Sequence, residues 1–314
     1  MFNNAVIGVD FADGGREAIA LARTLCERPG RVTLTHVVTS DWGVSSEFVA
    51  AERARVLALL ARKRDLAYAE NDRGWRSSVQ VDVRCEFWDS AGRGLQVAAA
   101  TDADLIVVGS SRRGLLGRVL LGDDTRAALD GAPCAVAVAP AGYAGEPRPL
   151  GMIGVAYDGS PESTVAVDAA RTLAADQGAA LSAMTVVSVP TSRFGPGPLP
   201  VHDVIEVLRG RARDEIAALG GMEPHVAYGA TAEELAVFSG RCDLLVMGSR
   251  GYGAWGRLVH GSTSRQLSRT ARCPLLVLSR AAERAEGGCD VLGEPDRARA
   301  DREAAQAPGT ASAG

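Results

Sequence analysis

Apolar residues fall along this chain in short, nearly unbroken runs separated by amphipathic or turn-rich stretches. LIVVG (105–109) and LLVMG (244–248) are nearly continuous in apolar character. Runs of that length read as strands covered on both faces. The first half of the chain has strands predicted near 4–9, 31–38, 79–86, 104–109 and 134–139, and helical patterns near 14–27, 46–70, 92–101 and 123–130. Five strands alternating with four helices predict an α/β fold built on a doubly wound parallel sheet. In the common order for such sheets strands 1 and 4 are neighbours, and ligands bind outside their carboxyl ends.

The pattern occurs twice. GVD (8–10) is echoed in VAYDGS (155–160), 148 residues from Asp10 to Asp158. ADLIVVG (103–109) and CAVAVAP (134–140) return as CDLLVMG (242–248) and CPLLVLS (273–279), both at an offset of 139. The difference leaves the second copy about nine residues shorter in its middle. A period near 140 is a duplicated domain rather than a solenoid unit. The expected organisation is a first domain over 1–141, a Gly/Pro-rich linker over 142–149, a second domain over 150–280 and a tail over 281–314. The tail is poor in large apolar side chains and is expected to be disordered. CAVAVAP and CPLLVLS are expected to meet as edge strands of an intrachain pseudo-dimer, because exposed apolar edges aggregate.

Composition then narrows the function. The 314 residues carry a formal charge of -4 and a pI near 5.7, against the basic face that nucleic acid requires. No run reaches the ~18 apolar residues of a membrane span, and the opening MFNNAVIGVD has no basic stretch before an apolar core. A cytoplasmic protein without membrane or nucleic-acid partners is expected. The six cysteines are scattered without a C-x-x-C pair, and with four histidines they suggest neither a zinc site nor a disulfide framework. Cys134 and Cys273 open apolar runs and read as buried thiols.

The candidate chemistry lies in GSRGYGAWGRLVHGSTSR (248–265). Gly248 closes a strand, Gly251 allows close backbone approach, and Gly261 precedes Ser262 and Thr263, which can cap a helix. A helix N-terminus stabilises an anion, so the segment suggests a phosphate site, with Arg250 and Arg257 adding charge. GYGAWG matches G-x-G-x-x-G by letter but follows the fourth strand, with no acid about 20 residues on, so a dinucleotide fingerprint is not supported. Lys63 is the only lysine, so no Walker A loop exists.

The spacing Gly248-x2-Gly251-x9-Gly261-Ser262, with VAYDGS and CPLLVLS in a duplicated frame, resembles the universal stress protein family. The resemblance covers residues 1–280 and implies two such five-stranded domains in tandem, paired through their fifth strands. It implies ATP as ligand, with or without Mg2+, in an open crevice, and a role in stress adaptation or dormancy rather than a defined reaction. Residue by residue, it places Asp158 at adenine, Val187 beside ribose and base, Met247, Gly248, Arg250 and Gly251 along ribose and phosphates, and Gly261, Ser262 and Thr263 on the phosphates. The residues themselves leave Asp158 open between an acceptor for an exocyclic amine and a turn former ahead of Ser160 and Pro161.

The first copy departs from this pattern. Arg112 stands where Gly251 does, Asp123 replaces Ser262, and FADGG lacks the Gly-Ser of the second turn. Asp10, Val38, Gly109 and Gly122 therefore outline a weaker second site, and the second copy is expected to bind better. Two other classes remain: a nucleotide-independent dimeric scaffold, and an adenylating enzyme or weak ATPase. No acid–base pair is evident among four scattered histidines, so slow ATP hydrolysis is the most the sequence allows. It leaves a homodimer open.

Overall fold

A computed structural model describes residues 1–10, 15–26, 30–39, 46–69, 79–110, 128–129, 131–147, 149–187, 201–249 and 271–278. The first copy contributes β1 (Asn4–Gly8), α1 (Arg16–Leu25), β2 (Arg31–Thr39), α2 (Ser46–Ala69), β3 (Gln80–Trp88), α3 (Ala91–Ala99), β4 (Leu105–Gly109) and β5 (Ala135–Ala139). The second contributes β6 (Met152–Ala156), α4 (Pro161–Gln177), β7 (Ala180–Val187), α5 (Val201–Leu219), β8 (Glu223–Tyr228), α6 (Thr231–Phe238), β9 (Leu244–Gly248) and β10 (Leu275–Leu278). The five strands predicted for the first copy all form, within two residues of the expected bounds. The helix expected at 123–130 is described only at Ala128 and Leu129, and the tail lies outside the described residues.

The strands form one ten-stranded sheet in the order β3-β2-β1-β4-β5-β10-β9-β6-β7-β8. Pairing is parallel within each copy, and β1 lies beside β4 as β6 lies beside β9. The copies meet where β5 and β10 pair antiparallel, with Leu275 opposite Val138, Leu276 opposite Ala137 and Val277 opposite Val136. By the offset of 139, Ala137 and Leu276 are the same position of the repeat. The register is thus centred on equivalent residues, and a pseudo-twofold axis passes between them. Every residue of β5 is fully buried, so the edges expected to meet do so.

Two cores run the length of the sheet, one on each face. Alternate side chains decide the face: Ala135, Ala137, Ala139, Leu276 and Leu278 join α1, α2, α4 and α5 in one core, while Val136, Val138, Leu275 and Val277 join α3 and α6 in the other. Continuous apolar strands are what two covered faces require.

An aspartate at the foot of each fourth strand fixes the strand register. Asp104 accepts hydrogen bonds from the backbone N–H of Asn3 at 2.7 Å and of Asn4 at 3.1 Å. Asp243 accepts from Gly151 and Met152, both at 2.9 Å. The four donors are equivalent in pairs by the offset of 148, so each copy starts β1 or β6 with the same clamp. Burial pushes the Asp104 carboxyl up, against the backbone donors that pull it down.

Candidate functional site

Adjacent strands β6 and β9 carry Asp158 and Gly248 out of the sheet at the same end. Ala156 pairs with Met247 on one side and with Met184 of β7 on the other. The Tyr157 N–H donates to Met184 O at 2.9 Å, and the Thr185 hydroxyl donates to Tyr157 O at 2.8 Å. Val187 ends β7 and accepts from the Gly229 N–H at 3.3 Å. Asp158, Val187, Met247 and Gly248 are therefore brought to the carboxyl ends of three neighbouring strands. Arg250, Gly251, Gly261, Ser262 and Thr263 lie outside the described residues.

The turn after β6 is built by its own side chains. Asp158 is exposed, and its Oδ1 accepts from the Ser160 backbone N–H at 3.1 Å and from the Ser160 hydroxyl. This is the turn in which Asp bonds its own backbone two residues on. Gly159 takes the left-handed backbone (φ 75) that such a turn needs. Ser160 then caps α4 by accepting from Ser163 N at 3.2 Å, with Pro161 in the first helical turn. The turn-forming role of Asp158 is realised, and its carboxylate is exposed beyond the carboxyl end of β6.

Gly248 has a reason the sequence did not reveal. A Cβ there would overlap the backbone carbonyl of Glu162 and stand 2.8 Å from its Cβ. The body that comes close to this glycine is the first turn of α4. Met247 sends its side chain into the core covered by α3 and α6. Ser249 is buried, and its N–H donates to Leu278 O at 2.9 Å.

The first copy repeats the frame with other chemistry. Val9 N–H donates to Thr35 O at 3.0 Å, and Ser110 N–H to Ala139 O at 2.8 Å. Where Thr185 ties β7 to the carbonyl before Asp158, the imidazole of His36 donates from Nδ1 to Val9 O at 2.8 Å, just before Asp10. α1 begins three residues later than α4 in the repeat, at Gly15 (φ 93), with no side-chain cap. Among the described residues, nothing lies within 4 Å of a Cβ at Gly109. Val38 ends up in the same register against Phe87 as Val187 against Tyr228. Gly122 lies outside the described residues. Over this end of β2 and β3, the Arg55 hydrogen bond holds the Glu52 carboxyl below the usual carboxylate range.

Two five-stranded units with helices on both faces define a tandem doubly wound α/β protein. A model of the universal stress protein family matches residues 1–140 and 151–279, and the chain belongs to that family. The universal stress protein Rv2005c of Mycobacterium tuberculosis is 28% identical over 298 residues, covering 88% of this chain and 96% of its own. The universal stress protein YxiE of Bacillus subtilis is 31% identical over 141 residues, 40% of this chain and 95% of YxiE. A solved universal stress protein from Archaeoglobus fulgidus shares the fold with a TM-score of 0.58 at 16% identity, over 88% of this chain and 98% of its own. Among the described residues, no helix is long and apolar enough to cross a membrane.

Proposed function

We propose that the chain binds an adenine nucleotide, with ATP as the first choice, in the crevice of its second copy. On this reading it acts in the cytoplasm as a nucleotide-responsive regulator in stress adaptation or dormancy. The observation that carries the reading is the adjacency of the Asp158 turn and Gly248 on paired strands. That adjacency sets an exposed carboxylate beside the start of the glycine–serine segment. The base belongs on the Asp158 and Val187 side, and the phosphates belong with Gly251, Gly261, Ser262 and Thr263. Among the described residues, no group of three His, Cys, Asp or Glu side chains could hold a metal. They offer Mg2+ no cage, so an accompanying ion would rely on the phosphates. The reading assigns no chemistry to the ligand.

A nucleotide-independent scaffold is the competing reading, and the fully buried β5 favours it. Calorimetry separates the two. ATP titrated into the purified chain is expected to bind with a stoichiometry near one. Gly261→Asp is expected to weaken it by about 1–3 kcal/mol through lost charge-assisted bonds, with the far-UV spectrum unchanged. Equal affinity in the variant removes the phosphate assignment, and the absence of any heat leaves the scaffold.

A further inference from the structure

The helices that follow the first strand of each copy differ at both ends. α1 stops at Leu25, whereas α4 runs on to Gln177 and is closed by Gly178 in left-handed backbone (φ 69). By the offset of 148, the last turn of α4 corresponds to Cys26–Pro29, where α1 has already ended. That additional turn reaches the other copy. Gln177 Nε2 donates to the carbonyl of Thr24, in the last turn of α1, at 2.6 Å, and the Met1 ammonium lies 3.5 Å from Asp176. Thr24 Oγ1 shares a hydrogen bond of 3.2 Å with the hydroxyl of Tyr143, in the segment that joins the copies.

At its other end α4 is wedged against Gly248 through the backbone of Glu162. Backbone cannot step aside as the tip of a long side chain can. A close-packed helix of 17 residues between two such contacts moves as a body, because interiors of this density transmit strain rather than absorb it. An unbroken series of contacts thus runs from the end of β9, along α4, to the C-terminal turn of α1.

We propose that α4 is a strut by which the second copy's crevice is coupled to the first copy. A change at Gly248 displaces the first turn of α4, and Gln177 passes that displacement to α1. This regulatory meaning rests on the nucleotide reading above, while the mechanical link does not. By reciprocity, whatever alters α1 alters the second crevice equally.

Hydrogen exchange of the full chain, followed in peptides covering Arg16–Leu25, tests the link without ligand. Gly248→Ala is expected to speed exchange at the C-terminal end of α1 several-fold, and Gln177→Ala alone to speed it less. In the Gln177→Ala background, Gly248→Ala should add nothing. If Gly248→Ala fails to fold, Ser160→Ala, which removes the cap of α4, is the milder displacement with the same expected pattern. Unchanged α1 exchange, or strictly additive effects of the two substitutions, overturns the strut. In a second arm, ATP is expected to slow α1 exchange in the parent and not in Gln177→Ala. ATP binding without that change also overturns the strut and leaves the nucleotide reading standing. Failure of ATP to bind ends the nucleotide reading, and the ligand-free arm still decides the strut.

Discussion

The two copies fill the same place in their cores with different pieces. Under α6, Gly154 faces Phe238 and Cys242: a Cβ on Gly154 would stand 2.5 Å from the Cys242 sulfur and 2.8 Å from the Phe238 ring. At the corresponding positions the first copy has Val6, Ala99 and Ala103, with Val6 and Ala99 buried in the same core. One large side chain on the helix and none on the strand has become one medium side chain on the strand and a small one on the helix. The strand registers and the aspartate clamps are meanwhile the same in both. After duplication, volume can move between elements where the surrounding side chains accommodate it. The backbone frame tolerates no such trade.

The largest expected effect breaks that balance. Phe238→Ala should cost about 3–5 kcal/mol by guanidine unfolding, through lost burial and the cavity left behind. Gly154→Val alone should cost about 1–3 kcal/mol through overpacking. Combined, they should cost clearly less than their sum, because the introduced valine would occupy the space Phe238 vacates. Additive costs would show that the two side chains do not share that space.

The next effect tests what the copies hold in common. Asp243→Ala leaves the N–H groups of Gly151 and Met152 without their acceptor and should cost about 1–3 kcal/mol. Asp104→Ala should cost a similar amount at Asn3 and Asn4. A clamp that matters in one copy only would show as a cost confined to one variant.

These features were unequally legible in the sequence. The strands were plain because runs such as LIVVG and LLVMG have one reading when short and flanked by turn residues. Ser160 and Pro161 announced the start of α4. The aspartate clamp was available as an identical letter at an identical offset, but a polar residue just before an apolar run looks like a boundary marker. The volume exchange was hidden because it joins Gly154 to residues more than 80 positions away. Gly248 shows a different limit. A glycine at a strand end looks the same whether a ligand or a helix comes near it, and only the placement of Glu162 distinguishes the two.

The smallest effect lies in alkaline solution. Burial pushes the Cys242 thiol up to about 12, where an ordinary thiol ionises near 9.0. A group whose folded pKa is raised supports the fold fully below its unfolded pKa and loses that contribution as pH climbs through the window above it. Cys242→Ala copies the first repeat's Ala103 and removes one such thiol. The variant's stability should fall less between pH 8 and pH 10 than the parent's, by about 1 kcal/mol. Parallel pH profiles for the two proteins would place the alkaline sensitivity elsewhere, with Cys26 and Cys134, which burial pushes up to about 12 as well.

The seam between β5 and β10 has a further consequence. Two identical chains meeting about a twofold axis must oppose each residue on the axis with itself, as alanine against alanine or leucine against leucine. Here Ala137 faces Leu276 across the axis, a mismatch in size that exact symmetry forbids. Joining the halves in one polypeptide frees the two sides of the contact to specialise. It also makes their meeting independent of how much protein is in solution, since a tethered partner is always present at high effective concentration. One half can then change while the other is held constant, without either losing its neighbour.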